Sequence, residues 1–554
     1  MVSIYNDDKA KCSGCGACKQ ACPVNCIHMQ RDDEGFEYPT VEPDSCIECG
    51  KCKNVCPMIN DIGNMSQFDH PRAVGGYHKD EEVREDSSSG GAFTLFAEYI
   101  IRNGGIVYGC SLDSSMKAVH IGVDDMDGLG KLRGSKYVQS SIGNIYKEVR
   151  ENVLNGRLVL FVGTPCECAG LVTYLDNRVY ANLYLCDFIC HGVPSPMVFE
   201  KYIDSLETDN GSVKDFRFRN KDKGWNQSGL QQGTRIEFES GNTIRNHPAY
   251  RDNFMNGFLS DIYLRPSCYE CHFKELPKNY ADITIADFWG VDKCAPKLND
   301  GKGTSLILLN TEHGNKLFET VRDKFEFEEV ELKDALRKNK TIYKSAVENR
   351  CRNAFYKCLS EEGYDKASRR FLSTLSWAVN KVGRILWGVI ERIVKAVLGP
   401  IMCKIDSSWD EAKWEGLFQF IKFAMVGVTN SVISYSINLL TLLCLRNANL
   451  EYDYIIANIV AFLLSVLWSF ALNSRFVFEE KKGEERSKWK ALVKTYASYA
   501  FSCIILNNLL GTLWIKVFGI SKYIAPLMNL VITVPTNFVL NKFWAYRTAK
   551  KDKC

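Results

Sequence analysis

The rhythm of apolar and polar positions changes along the chain. Four long runs near its end carry no charge: residues 423–445, 455–474, 495–515 and 523–541, of 23, 20, 21 and 19 residues. A helix rising about 1.5 Å per residue needs about 20 apolar residues to cross the hydrocarbon core. All four therefore predict membrane spans, the last with Pro526 and Pro535 inside it. A soluble helical bundle would instead show charged faces at the helical period. Just upstream, residues 377–398 place Lys381, Arg384, Glu391, Arg392 and Lys395 on one side of a helical wheel. Val382, Leu386, Val389, Ile390, Ile393 and Val397 lie opposite, with Trp387 near the border. This pattern predicts a membrane-surface helix within a linker over 368–410; a surface helix packed on a soluble domain is the alternative.

Residues 70–360 read differently. Short apolar runs at 158–162 and 283–286 predict buried strands, and 91–102 and 142–154 have helical spacing. Gly104-Gly105, Gly163-Thr164-Pro165 and Gly192-Val193-Pro194 punctuate them. The fold class is mixed α/β. No G-x-G-x-x-G occurs, which weighs against a Rossmann NAD site.

Composition narrows the function classes. Of 554 residues, 46% are hydrophobic and 24% charged, so the chain folds rather than staying disordered. A net charge of +3 argues against a general nucleic-acid binder. Lys and Arg flanking the spans number 14 on one side and 3 on the other, which puts both ends of the membrane domain in the cytoplasm. The segment 1–11 is polar, without a signal-peptide pattern, and a reducing compartment suits the 23 cysteines.

Nine of these cysteines fall in the first 56 residues. Cys12, Cys15, Cys18 and Cys22 before Pro23 read C-x2-C-x2-C-x3-C-P, and Cys46, Cys49, Cys52 and Cys56 before Pro57 repeat it. In such runs the fourth cysteine ligates the other cluster. Cys12, Cys15, Cys18 and Cys56 are thus expected to hold one 4Fe–4S cluster, and Cys46, Cys49, Cys52 and Cys22 a second. Paired zinc sites also use C-x2-C, but the exact repeat with proline after each fourth cysteine disfavours them. Residues 1–65 resemble the two-cluster ferredoxins of bacteria. Cys26 lies outside the pattern and receives no role.

Four motifs mark the middle of the chain: Ser87-Ser88-Ser89-Gly90-Gly91, Gly163-Thr164-Pro165-Cys166, Cys190-His191-Gly192-Val193-Pro194, and Cys268-x2-Cys271 followed by Ala286-Asp287-Phe288-Trp289-Gly290. As a set they resemble the beta-subunit family of coenzyme F420 hydrogenases and dehydrogenases, over about residues 70–350. The resemblance implies an iron–sulfur flavoprotein that passes electrons between a cluster, FAD and a two-electron carrier. Cys166, Cys190, Cys268 and Cys271 are then candidates for a third 4Fe–4S cluster, buried free cysteines being the alternative. Cys168 and Cys186 read as core residues. Ser88, Ser89, Gly90 and Gly91 lead into a helix and suit a phosphate, or a plain serine cap. Ser135, Lys136 and Tyr137 suit a flavin pyrophosphate or ribityl chain, or a solvated turn. Trp289 and Asp287 would line the flavin pocket, with Asp287 and His191 as catalytic candidates; a structural role is the alternative for each. The fused membrane domain departs from a soluble hydrogenase partner and weighs against deazaflavin use.

At the far end, Phe420-x2-Phe423-x2-Val426-Gly427, Phe470-x2-Asn473-x-Arg475-Phe476-Val477-Phe478 and Asn537-Phe538-x2-Asn541-Lys542-Phe543-Trp544 resemble the GtrA-like family, over 415–548. Members are four-span, all-α proteins linked to moving polyprenyl-phosphate-linked sugars across the bacterial inner membrane. The two Asn-x-aromatic endings suggest an internal repeat. Asparagines within the spans read mainly as helix–helix glue. Arg475 and Lys542 would meet a lipid phosphate or anchor the cytoplasmic ends.

The combined expectation is a membrane-tethered iron–sulfur flavoprotein oxidoreductase of polysaccharide or lipid-linked glycan metabolism. Its partners would be an electron-carrying protein or small redox carrier and a membrane lipid, with no nucleic acid. The alternative is a lipid-linked sugar translocase, or its accessory, with a regulatory redox domain.

Overall fold

The computed structural model describes residues 4, 8–60, 70–225, 232–274, 276, 280–373, 394–396, 411–445, 453–478, 484–485, 487–520, 525–547 and 549–550. The chain divides into two compact units, Met1–Val382 and Gly383–Cys554.

The first unit begins with a small pairing of β1 (Ile27–Arg31) and β2 (Glu37–Val41), flanked by short helices Ala17–Ala21 and Lys51–Asn54. Each helix starts from a left-handed glycine, Gly16 (φ 73°) and Gly50 (φ 72°). A side chain rarely adopts that conformation, so the two glycines let each cysteine loop turn sharply into its helix.

The strands that follow are β3 (Arg72–His78), β4 (Ile106–Leu112), β5 (Ala118–Val123), β6 (Val159–Val162), β7 (Leu183–Phe188), β8 (Val213–Asn220), β9 (Gly233–Phe238), β10 (Thr243–Asn246), β11 (Ile283–Asp287), β12 (Ser305–Leu309) and β13 (Phe325–Val330). Eight of them form one sheet in the order β13-β3-β12-β11-β7-β6-β4-β5. Its centre, β11-β7-β6-β4, is parallel, and the strands on either side are antiparallel. The parallel strands are apolar on both faces because helices cover them. Helix Ala92–Arg102 and helix Glu312–Val321 pack one side, helices Ile145–Leu154 and Pro165–Tyr174 the other. A second sheet, β10-β9-β8, packs with helix Pro196–Asn210 around Phe199, Phe216, Phe218 and Phe254.

The cysteine-rich segment is not a separate bead. Cys15, Ala17 and Val55 belong to the core built on Tyr146, Phe161 and Ala169. Thr173 Oγ1 donates to the Val55 carbonyl at 2.8 Å, and Gln20 Oε1 accepts from the Tyr146 N–H at 2.9 Å. A Cβ on Gly170 would stand 2.9 Å from Cys15 Sγ, so the cysteine loop rests directly on that helix.

In the second unit helix Glu411–Leu445 contains the first apolar run, and helix Asp453–Leu472 most of the second. Lys488–Ala500 continues through π turns to residue 517, and Ala525–Leu540 continues into a π turn at Asn541–Ala545. Residues 521–524, where the fourth predicted span begins, lie outside the described residues. Among the described helices one, Gly416–Leu445, is long and apolar enough to cross a membrane, and Ile456–Leu472 is a shorter apolar helix. The predicted surface helix over 377–398 also lies outside the described residues, apart from one helical turn at 394–396.

Amides tie these helices together. Asn438 Nδ2 donates to Asn458 Oδ1 at 2.8 Å, Ser502 Oγ to Asn537 Oδ1 at 2.6 Å, and Trp514 Nε1 to Asn529 Oδ1 at 3.0 Å. The two asparagine endings meet through aromatic rings: Tyr546 stacks on Phe478 at 4.6 Å and on Phe470 at 5.8 Å.

Candidate functional site

The amino-terminal cysteines gather in two sets. Burial pushes the Cys15 thiol up to about 12, and the neighbouring Cys56 and Cys12 thiols add to it. Cys18 is raised by burial and by Cys15, Cys12 and Cys56. Cys12, Cys15, Cys18 and Cys56 are therefore mutual neighbours. In the other set, Cys22 Sγ lies 3.4 Å from Cys26 Sγ, Cys26 also meets Cys46, and Cys52 feels Cys46 and Cys49. Cys26, unassigned in the sequence, is buried inside this second set.

Cys166, Cys190, Cys268 and Cys271 line one pocket of about 800 Å³, part of it open to solvent. Three loops deliver them. Cys166 follows β6 on the first turn of helix Pro165–Tyr174, whose capping box pairs Thr164 with Glu167. Cys190 follows β7. Cys268 and Cys271 come from the loop before β11. In parallel sheets, ligand sites form beyond the carboxyl ends of the strands, and that is where the pocket lies. Thr164 Oγ1 is 3.1 Å from Cys166 Sγ, and the Val193 N–H donates to Cys268 Sγ at 3.5 Å. Burial lifts Cys190 to about 12 and Cys268 to about 11. Burial raises the core thiols Cys168 and Cys186 likewise, so what sets these four apart is their shared place in the pocket wall. Among the described residues no three Cys, His, Asp or Glu side chains are grouped as ligands of a metal ion; the four thiols instead stand around the pocket wall. Cys168 and Cys186 are fully buried in the core beneath, against backbone carbonyls.

One cation here, Lys274, carries no motif signal in the sequence. Lys274, 7% exposed, donates to the Cys190 carbonyl and, at 2.7 Å, to the Thr341 carbonyl. Its ammonium pulls the Cys190 thiol back down against burial. His191 lines the same pocket, and its Nε2 lies 2.6 Å from Asp261 Oδ1.

The remaining candidates fall into two groups. In the first, Ser88 Oγ accepts from the Ser135 N–H at 2.8 Å and meets its hydroxyl at 3.0 Å, joining the serine–glycine loop to the 133–137 turn. Ser89 Oγ donates to the Thr304 carbonyl at 2.7 Å. Gly90 is wedged against β3 and β12, where a Cβ would stand 2.6 Å from both the Gly76 carbonyl and the Ser305 nitrogen. Gly91 (φ 89°) opens helix Ala92–Arg102, which has no side-chain cap. Arg133 lies beside that opening, its Nε 3.3 Å from Thr94 Oγ1. Lys136 spends its ammonium on the carbonyls of Lys131 (2.8 Å) and Arg133 (2.7 Å), and burial lowers it to about 8.

In the second group, Arg219 on β8 gathers three of the predicted residues. Its Nη1 donates to Asp287 Oδ2 at 2.9 Å and to Tyr137 Oη at 3.0 Å, and its guanidinium is 5.9 Å from the Trp289 ring centre. Trp289 stacks on Trp225 at 5.2 Å with an interplanar angle of 7°. Asp287 is thus the half-buried partner of a guanidinium. The alternation in Phe216-Arg217-Phe218-Arg219, with both phenylalanines buried, is the sequence signal that would have flagged Arg219.

Comparison with known proteins matches three stretches of the chain. Residues 11–59 match the 4Fe-4S dicluster domain. Residues 156–335 match the C terminus of the coenzyme F420 hydrogenase/dehydrogenase beta subunit, and residues 422–546 the GtrA/DPMS transmembrane domain. The cell wall teichoic acid glycosylation protein GtcA of Listeria monocytogenes is 30% identical over 104 residues, covering 18% of this chain and 69% of that protein. Its Listeria innocua counterpart is 24% identical over 151 residues, covering 27% of this chain and 100% of that protein. A structure of the F420-reducing NiFe hydrogenase complex of Methanosarcina barkeri matches at 17% identity and a TM-score of 0.35, covering 50% of this chain and 89% of the matched one. The chain belongs to the GtrA-like family through its membrane domain, and it fuses that domain to a 4Fe–4S dicluster module and to a domain of the coenzyme F420 hydrogenase/dehydrogenase beta-subunit family.

Proposed function

We propose that the protein is a membrane-tethered iron–sulfur flavoprotein oxidoreductase serving bacterial cell-surface glycan or lipid-linked sugar metabolism. The observation that carries this reading is the convergence of Cys166, Cys190, Cys268 and Cys271 on one pocket, with Ser13 and Met58 of the dicluster module in its wall. When bound, iron–sulfur clusters pass single electrons and a flavin exchanges two with a substrate. Cys12, Cys15, Cys18 and Cys56 would hold one cluster, Cys46, Cys49, Cys52 and Cys22 the second, and the pocket cysteines a third. The uncapped start of helix Ala92–Arg102, with Ser88, Ser135 and Arg133 beside it, suits a flavin pyrophosphate. Tyr137, Trp289 and the Arg219–Asp287 pair make an aromatic and charged wall suited to a flavin ring. His191, held by Asp261, is the proton-carrying candidate at the pocket. The membrane domain would span four times with both its ends and the redox unit in the cytoplasm, and its lipid would carry a polyprenyl phosphate.

The test is iron, acid-labile sulfide and flavin per chain after purification without oxygen. About twelve irons with one flavin support the reading. About eight irons without flavin overturn the third cluster and the flavin site. Flavin fluorescence separates FAD from a deazaflavin.

One observation favours a second reading. The membrane domain matches GtcA of Listeria innocua over that protein's whole length, so it contains what a self-standing relative has. A translocase or its accessory, with a regulatory redox unit, would need no redox substrate. A full-length Cys190→Ser variant that restores glycan export in cells lacking the chain favours this reading; loss of export favours the oxidoreductase.

A further inference from the structure

Arg265 is fully buried, with 0% of its surface exposed, and the described residues offer it no carboxylate at ion-pair distance. A lone buried guanidinium is costly unless negative charge lies close by. Its contacts are two carbonyls, an amide oxygen and the sulfur of Cys12. Nε donates to the Cys12 carbonyl at 2.8 Å, and Nη2 donates to the Glu37 carbonyl at 2.9 Å and to Cys12 Sγ at 3.5 Å. Nη1 donates to Gln139 Oε1 at 2.9 Å, and Gln139 Nε2 in turn donates to the Ser13 carbonyl at 3.2 Å. The guanidinium also lies 4.3 Å from the Tyr38 ring centre.

The backbone of Arg265 belongs to the other cysteine site. Its N–H donates to the Val193 carbonyl at 2.9 Å, in the turn after Cys190, and its own carbonyl accepts from the Cys268 N–H at 2.9 Å. The cysteine loop is fitted to this side chain: a Cβ on Gly14 would stand 2.5 Å from Gln139 Nε2 and 2.8 Å from Arg265 Nη1.

We infer that Arg265 is a positioning residue that links the Cys12 cluster site to the pocket cysteines and raises the reduction potential of the cluster that Cys12 ligates. Hydrogen bonds to ligand sulfur and nearby net charge are among the levers that set such potentials. A fixed cation favours the reduced, more negative cluster. The Cys46 set has no contact with Arg265 among the described hydrogen bonds, so it supplies an internal reference. The inference rests on the proposed third cluster for its pocket half; the Cys12 half needs only the dicluster module.

The test is an EPR-monitored redox titration of the full-length protein, purified without oxygen, for wild type, Arg265→Lys and Arg265→Met. Arg265→Met should move the midpoint of the Cys12-set cluster to more negative potential and leave the Cys46-set midpoint in place. Arg265→Lys keeps the charge but lacks the planar fork, so it should give a smaller shift in the same direction. A Cys12-set midpoint that is unmoved in both variants overturns the inference, as does an equal shift of both sets. If Arg265→Met does not load iron, the Arg265→Lys midpoint decides alone, and identity with wild type overturns it. The wild-type iron count distinguishes the two failures. About eight irons removes the third cluster and leaves the Cys12 half standing. About twelve irons with unmoved midpoints removes the role of Arg265 and leaves the oxidoreductase reading intact.

Discussion

The dicluster module and the pocket that follows it collect thiols in opposite ways. Cys12, Cys15 and Cys18 sit on one short loop, so local chain geometry already brings them together, and a left-handed Gly16 completes the turn. Cys166 and Cys190 follow the parallel neighbours β6 and β7 to one edge of the sheet. The segment before β11 carries Cys268 and Cys271 to that edge, held by the Arg265 N–H on the Val193 carbonyl and by Lys274 on the Cys190 carbonyl. A local site tolerates damage to its surroundings. A site assembled from distant loops depends on the sheet beneath it and on buried cations such as Lys274 that sit among the thiols.

The most severe way to separate the two is Cys190→Ser in the full-length protein. Iron should fall from about twelve to about eight per chain, with the dicluster EPR signals kept. Unchanged iron would place Cys190 outside any cluster.

A second test severs the tie between module and sheet. Arg352, 2% exposed at its side chain, pairs with Glu34 in the turn between β1 and β2 and donates to the Ile262 carbonyl at 3.2 Å. Removing one partner of a buried pair strands the other charge. Arg352→Ala should lower stability by about 3–5 kcal/mol, read as an earlier urea midpoint for the module's absorbance. A midpoint equal to wild type would show that the module holds without this pair.

Third comes Asp187, at the end of β7 in the pocket wall. Burial lifts its carboxyl to about 7, although Thr284 Oγ1 donates to it at 2.5 Å. The unfolded carboxyl titrates near 4, so between about pH 4 and 7 the folded state binds more protons than the unfolded. Stability should fall as pH rises through that window and stay low above it. Asp187→Asn should remove this slope, gaining up to a few kcal/mol over wild type at pH 8 and little at pH 4, in thermal melts across pH. Parallel pH profiles for both proteins would refute it.

The mildest is Ser88→Ala. It takes the acceptor from the Ser135 N–H and should cost about 1 kcal/mol, seen as a small drop in melting temperature without loss of iron. A loss of iron would connect the serine–glycine loop to the pocket far more tightly than its hydrogen bonds suggest.

Legibility in the sequence followed the range of the interaction. The eight ferredoxin cysteines could be read because ligand spacing is a local property. The strands at 158–162 and 283–286 could be read because a parallel strand covered on both faces is continuously apolar, and β6 and β11 lie there. Lys136 shows the limit. The sequence left a flavin pyrophosphate or ribityl site and a solvated turn both open there, and only the fold shows its ammonium on two carbonyls of its own turn. Asp287 was legible as a candidate, but its partner Arg219 stands 68 residues away and is brought to it by a different sheet. Cys26 fitted no spacing rule, yet it packs inside the second thiol set.

By itself, then, the sequence determined the two cysteine repeats, the alternation of strand and helix, and the four uncharged runs. Each depends on residues close together in the chain, where spacing and hydrophobic period act directly. Tertiary structure alone decided that Cys166, Cys190, Cys268 and Cys271 share a pocket, that Arg219 pairs with Asp287, and that Arg265 lies buried against Cys12. Those contacts join residues tens to hundreds of positions apart, and they arise when apolar strands and helices bury their faces in one common core and carry their loops into place.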